Sequence, residues 1–268
     1  MLFSKWPEMQ VDFCKYQGTG NDFVMIDARI ISFPEKTSFI SKLCHRRFGI
    51  GADGLILIKK DANSDFFMKY FNADGTEGSM CGNGARCAVA FSKKLGVVSE
   101  NYTCFNTVDG KHYALIKEDQ ISLKMKDVFT IESHPEHIFV NTGSPHHVIF
   151  TENIDQIDVT REGGAIRYGA PYFDEGANVN FVKLLDDESL GIRTYERGVE
   201  DETLSCGTGV TAAALAAYRL GRIKTNAIKV YSLGGVLSVN FQETQGAFKE
   251  IWLHGGASYV FQGVVNLI

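Results

Sequence analysis

Short apolar runs separated by glycine and asparagine turns organise the first part of the chain. Residues 11–17 (VDFCKYQ) and 23–27 (FVMID), either side of the turn QGTGND, have the pattern of strands, as do 55–60 (LILIKK) and 65–72 (DFFMKYFN). Between these pairs, KTSFISKLCHRRF (36–48) has helical spacing, with Phe39, Ile40, Leu43 and Cys44 on one side. A long polar, glycine-rich loop, NADGTEGSMCGNG (72–84), leads into GARCAVAFSKKLG, a predicted helix that stops at Gly96. Strands NYTCFNT, HYALIK and ISLKMK follow.

The second part repeats this plan. HIFVNTG and HVIF flank the turn SPH, and NVNFVKLL and GIRTYE read as strands. RGVEDETLSCGTG is again a polar loop, and it runs into the helix GVTAAALAAYRLG. AIKVYS, VLSVNF, EIWLHG and SYVFQGVV close the chain as strands. The expectation is an α/β (α+β type) fold of two like-built domains arising by internal duplication. The N-terminal domain is expected over 1–125, completed by a C-terminal strand at 257–268, and the second over 126–256.

Composition narrows the function. The 268 residues are 44% hydrophobic and 22% charged, with a formal net charge of -5, so nothing favours nucleic acid or an anionic membrane as a partner. No apolar run at the N-terminus is long enough for a signal peptide or a bilayer span, so a cytoplasmic protein is expected. Six cysteines without a Cys-x-x-Cys pair suit neither a secreted disulfide framework nor a structural zinc site, so no metal is expected.

Two phrases carry the chemistry: Met80-Cys81-Gly82-Asn83-Gly84-Ala85-Arg86 and Ser205-Cys206-Gly207-Thr208-Gly209-Val210-Thr211. Each sets a cysteine before a Gly-x-Gly that opens a helix. Unpaired N–H groups at a helix start favour a thiolate and can also hold a carboxylate. A thiolate beside a carboxylate nest is equipment for removing the proton on the carbon next to that carboxylate. Cys14, Cys44, Cys87 and Cys104 sit in apolar or periodic stretches and are read as core. Glu196 and Arg197 precede the Cys206 phrase and could bind an ammonium and a carboxylate, or form a solvated ion pair. Asn21, Asn72 and Asn178 lie in or beside turns, and His146 follows Pro145. Gly49-Ile50-Gly51-Ala52-Asp53-Gly54 matches the dinucleotide fingerprint, but it follows a helix and precedes a strand; we read it as a structural turn.

The phrases GTGNDF (18–23), RRFGIGADGL (46–55), FNADGTEGSMCGNGARC (71–87), TGSPHHV (142–148), ANVNFV (177–182) and RTYERGVEDETLSCGTG (193–209) closely resemble the diaminopimelate epimerase family. The resemblance implies a cofactor-independent isomerase that interconverts LL- and meso-diaminopimelate in lysine and peptidoglycan-precursor synthesis. It implies two pseudo-symmetric domains, each a strand-rich, barrel-like layer around a central helix, with the site in the cleft between them. By position it makes Cys81 and Cys206 the catalytic pair, with His146 and Glu196 adjusting the thiols. Asn21, Asn72, Asn178, Glu196, Arg197 and the backbone at Gly82, Asn83, Gly207 and Thr208 would bind substrate. Two positions depart from the family: Gly54 stands where some members carry a substrate-holding glutamine, and Ser144 where many have asparagine. The expected partner is a small-molecule substrate, with homodimer formation left open. The rivals are a proline or hydroxyproline racemase of the same fold, a thiol redox or metal protein, and a non-catalytic binding protein for dibasic dicarboxylates.

Overall fold

The computed structural model describes residues 9–267. The first eight residues, which the sequence reads as lacking a signal peptide, lie outside the described residues. The described chain divides into two compact units, and the division falls between Ile121 and Ser122 and again between Gly256 and Ala257.

The first unit opens with a hairpin, β1 (Met9–Gly18) and β2 (Asn21–Asp27). Helix α1 (Thr37–Cys44) then leads to β3 (Gly54–Lys59) and β4 (Phe66–Asn72). The long helix α2 (Gly82–Lys94) precedes β5 (Tyr102–Thr107) and β6 (Gly110–Lys117). Pairing alternates in sense: β1 and β2 antiparallel, β2 and β3 parallel, β3 and β4 antiparallel, β4 and β5 parallel, β5 and β6 antiparallel. The last strand of the chain, Ser258–Leu267, returns to this unit and lies antiparallel to β1. β1 to β4 all touch α2, and residues 83–89 of that helix are buried, so the helix is the core about which the strands curl.

The turn GIGADG packs on the end of α1. Ile50 N and Gly51 N both donate to Leu43 O, Ala52 N donates to Cys44 O, and β3 begins two residues later. The glycines serve that wrap: a Cβ on Gly49 would run into Lys42 O, and Gly51 has φ of +81°.

After β7 (Gln120–Lys124), the second unit runs through β8 (Ile131–Ser133), β9 (Ile138–Asn141), β10 (Pro145–Phe150), α3 (Val159–Tyr168), β11 (Asn178–Asp186) and β12 (Ser189–Glu196). It continues with β13 (Asp201–Thr203), α4 (Gly207–Arg219), β14 (Ala227–Ser232), β15 (Gly235–Thr244) and β16 (Ala247–Gly256). From β9 onward the pairing senses repeat those of the first unit: β9 and β10 antiparallel, β10 and β11 parallel, β11 and β12 antiparallel, β12 and β14 parallel, β14 and β15 antiparallel. Helix α4 is buried from Gly209 to Ala217 and contacts β9, β10, β11, β12, β14, β15 and β16. Its run of alanines and glycines lets so many strands approach one helix. Each unit is a strand-rich layer around a central helix.

The sequence reading lacks α3, β8, β13 and a single 3-10 turn at Ile154–Gln156. α3 carries Gly163 and Gly164 in its interior, where glycine costs about 1 kcal/mol relative to alanine. Gly163 is there because a Cβ would run into the Tyr195 side chain of β12. The three-residue strands β8 and β13 are too short to show a period of two.

The two cysteine-capped helix starts

α2 begins one residue after Cys81 and α4 one residue after Cys206. Each cysteine is the N-cap residue, with extended backbone (φ −100°, ψ 122° at Cys81; φ −115°, ψ 110° at Cys206). Each cap carbonyl takes the first helical hydrogen bond, from Ala85 N at 2.7 Å and from Val210 N at 2.9 Å. In this geometry the N–H groups of the next residues, Gly82 and Asn83 or Gly207 and Thr208, have no acceptor inside their own helix. The two phrases thus place a thiol together with backbone donors that its own helix leaves unused, once in each unit.

In the first unit, the Cys81 thiol donates to Asn21 Oδ1 at 3.6 Å. Asn21 is held in turn, through Nδ2, by Asp53 Oδ2 at 2.8 Å. Asp22 and Asp53 are bridged by Arg46 Nη2, at 2.8 and 2.7 Å, and the buried Lys15 pairs with Asp22 at 2.7 Å. Burial works to raise the Asp22 carboxyl, but Arg46 and Lys15 outweigh it and hold it at about 2. The phrases GTGND and RRFGIGAD are therefore one ion-pair network that fixes Asn21 against Cys81. Asn72, at the end of β4, donates to Thr76 Oγ1 at 3.2 Å within the loop that leads to Cys81. Asn83 is buried with its side chain turned to the scaffold, accepting from Arg86 Nη2 and Thr19 Oγ1, so its backbone N–H is what it presents at the helix start. Gly54 has no room for a side chain: a Cβ would lie 2.5 Å from Tyr70 Cε2 and 2.6 Å from Phe71 O. The tyrosine ring occupies the space a glutamine would need.

In the second unit, Cys206 is buried and its Sγ lies 3.4 Å from Thr208 Oγ1. Thr142 Oγ1 donates to Thr208 O at 2.9 Å and pins the first turn of α4 to the β9–β10 turn, in which Ser144 O accepts from Thr142 N. Asn178 is buried; its Nδ2 donates to Pro145 O at 3.2 Å and its Oδ1 accepts from Arg197 N at 2.9 Å, so it orients Arg197. Arg197 Nη1 donates to Glu175 O at 2.7 Å. Desolvation pushes the Glu196 carboxyl up, against a hydrogen bond from Thr203 Oγ1 at 2.9 Å.

His146 is fully buried. Asn180 Nδ2 donates to its Nδ1 at 3.1 Å, which makes Nδ1 the acceptor and leaves the proton on Nε2. Asn180 in turn accepts from Thr194 Oγ1 at 3.1 Å. Burial, with the positive charge of Arg197, lowers His146 to about 3, against the hydrogen bond from Asn180. Near neutral pH the ring is therefore neutral. The sequence reading assigns no role to Asn180, Thr142, Tyr70 or Arg86. Arg86 alone left a trace, as a charged residue inside a run of small apolar ones. Among the described residues, no group of three or more His, Cys, Asp or Glu is arranged to hold a metal ion, and no helix is long and apolar enough to cross a membrane.

Two outcomes follow for stability. His146 is hard to protonate in the fold, whereas the unfolded chain protonates it near 6.5. Stability is then full above pH 6.5 and falls as the pH drops toward 3, with a loss on the order of 2 kcal/mol by pH 5. Denaturant midpoints measured from pH 7 to pH 5 should show this slope, and His146→Gln should flatten it. The helix starts also differ in tolerance. A Cβ on Gly209 would run into Asn180 Oδ1 and stand 3.4 Å from His146 Cε1, whereas a Cβ on Gly82 meets nothing within 4 Å. Gly209→Ala should cost about 1–3 kcal/mol in thermal unfolding, while Gly82→Ala leaves the transition near that of the parent.

The family model described as diaminopimelate epimerase matches residues 13–129 and 138–260. The diaminopimelate epimerase of Flavobacterium psychrophilum is 52% identical over 253 residues, covering 94% of this chain and 98% of that protein. That of Aquifex aeolicus is 41% identical, covering 94% and 97%. Among solved structures, a phenazine biosynthesis protein of the PhzF family from Bacillus anthracis superposes with a TM-score of 0.76 at 14% identity, covering 97% of this chain and all of that one. A hydroxyproline epimerase from Agrobacterium vitis superposes with a TM-score of 0.68 at 15% identity, covering 96% and 93%. These two likenesses concern the fold alone. The chain belongs to the diaminopimelate epimerase family and is an isomerase.

Proposed function

We propose that this chain converts LL-diaminopimelate to meso-diaminopimelate by a two-thiol mechanism without a cofactor, in the cytoplasm, as a step toward lysine and peptidoglycan precursors. The observation that carries the reading is the recurrence of one chemical device. Cys81 and Cys206 are each the N-cap of a buried helix, and each is followed by backbone donors at Gly82-Asn83 or Gly207-Thr208.

In the reaction, one sulfur as thiolate takes the α-proton and becomes a thiol. The electron pair left on carbon spreads into the neighbouring carboxylate. The other sulfur, as thiol, returns a proton to the opposite face of that carbon and becomes the thiolate. Protons balance, and the two sulfurs have exchanged roles. An amino-acid α-hydrogen is a very weak acid, so the added charge on the carboxylate needs fixed donors aimed at it, and the helix-start N–H groups and dipoles supply them. In this reading Asn21, Asn72 and Asn178 bind polar groups of the substrate. Arg197 takes the distal carboxylate and Glu196 the distal ammonium, which distinguishes this substrate from a proline. A carboxyl pushed up by desolvation, as at Glu196, gains most from a cation brought to it.

Single Cys81→Ala and Cys206→Ala variants should each lose at least about a thousandfold in epimerisation. In deuterated water, each should exchange the α-hydrogen of one isomer only, read by mass spectrometry together with the isomer ratio. Epimerisation near the parent rate in either variant would overturn the scheme.

A further inference from the structure

Arg86 has no part in the chemistry above, yet it is 0% exposed and, among the described residues, the largest side chain fully enclosed. It lies on α2 among Ala85, Cys87 and Ala88, all buried. A cation at this depth is costly in lost hydration. Its Nη2 donates to Thr19 Oγ1 at 3.1 Å and to Asn83 Oδ1 at 2.9 Å. Thr19 Oγ1 donates to the same Asn83 oxygen at 3.2 Å. These three side chains close a ring between the first turn of α2 and the β1–β2 turn.

That turn is strained. Gly18 pairs with Asn21, which leaves Thr19 and Gly20 as a two-residue hairpin loop with φ of 48° and 85°. A loop of this kind calls for positive φ at both positions. Glycine meets that readily, whereas a β-branched residue there is a conformational outlier. Threonine adds the hydroxyl that Arg86 and Asn83 hold. Two residues on is Asn21, the acceptor of the Cys81 thiol.

Burial pushes the Arg86 guanidinium down, and the Cys87 and Cys81 thiols act against that shift. Burial pushes the Cys87 thiol up to about 12, so it stays protonated near neutral pH and leaves Cys81 as the thiol that can answer the cation. At the matching place after Cys206 stands Thr211, whose hydroxyl donates to Gly207 O at 3.0 Å.

We propose that Arg86 is a positioning residue for Cys81: its guanidinium clamps the Thr19 turn, and with it Asn21, onto the first turn of α2, and it gives the Cys81 thiolate a fixed positive neighbour. The proposal rests on the function above only in treating Cys81 as a reacting thiol. Its test is the rate of iodoacetamide alkylation of the whole protein against pH, resolved for the Cys81 and Cys206 peptides, with no diaminopimelate present. In Arg86→Met, Cys81 labelling at pH 7 should fall at least tenfold and its profile move to higher pH, while Cys206 labelling stays within twofold. Arg86→Lys keeps the charge and should restore most of the Cys81 profile. Thr19→Gly relieves the turn and removes the hydroxyl; it should melt no lower than the parent and still slow Cys81 labelling. A parent-like Cys81 profile in folded Arg86→Met overturns the proposal, as does equal slowing of both cysteines. Should Arg86→Met not fold, parent-like Cys81 labelling in Thr19→Gly, or loss of the Cys81 profile in Arg86→Lys, overturns it instead. No result depends on turnover, so failure to epimerise diaminopimelate would count against the proposed function and leave this inference standing.

Discussion

A helix can stabilise charge only at a start that is left uncovered, and it can be the core of a domain only if the rest of it is wrapped. Both demands fall on α2 and α4. Residues 83–89 of α2 and 209–217 of α4 are buried, so strands close around each helix along most of its length. The cysteine and glycine of each phrase reconcile the two demands. An extended cysteine turns the chain into the helix, and a glycine follows with no side chain to cover the outward N–H groups. At Gly82 the surrounding space is open, and at Gly207 the sole neighbour of a Cβ would be Leu253 Cδ2 at 2.9 Å.

Whatever fixes those helix starts also fixes the chemistry, and each unit does so differently. The first unit uses charge: Lys15, Asp22, Arg46 and Asp53 hold Asn21, and Arg86 holds the turn before it. The second uses neutral hydrogen bonds, from Thr142 to Thr208 O and among Asn180, His146 and Thr194. The strand pairing recurs while the interior does not. A pairing sense is set by backbone ladders, which many sequences satisfy, whereas an interior network must be satisfied group by group and can be rebuilt independently in each copy.

That difference explains what the sequence makes legible. Strands such as FVMID and LILIKK announce themselves by apolar runs between glycine turns, and the two helices by the small-residue segments after Cys-Gly-x-Gly. The α3 helix does not, since Gly163 answers to the Tyr195 side chain from β12 and not to helix propensity. The pairing of Gly54 with Tyr70 is equally silent, because the two meet across neighbouring strands and only their separation in space shows that one fills the room the other vacates. Asn83 illustrates the limit within the site itself. Its place in the cysteine phrase is plain from the sequence, but its side chain faces Arg86 and Thr19, so its backbone, and not its amide, stands at the helix start.

In the proposed reaction two thiols trade roles, and the contrast between Arg86 and His146 bears on how one scaffold can serve both. If both helix starts carried the same fixed charge, nothing in the protein would distinguish which sulfur is ionised before substrate arrives. Burial pushes the guanidinium beside one phrase down from its usual range, though an arginine starts so high that it is a cation near neutral pH, while the imidazole beside the other stays neutral because burial and Arg197 oppose its protonation. A permanent charge favours one protonation state of its neighbour; a neutral, polarisable ring accommodates either. An enzyme that works in both directions needs a bias small enough to be reversed by substrate. A cation shared between neutral acceptors, with the Cys81 thiol among the groups that feel it, is a means of setting such a bias without committing the thiol to a salt bridge it could not leave.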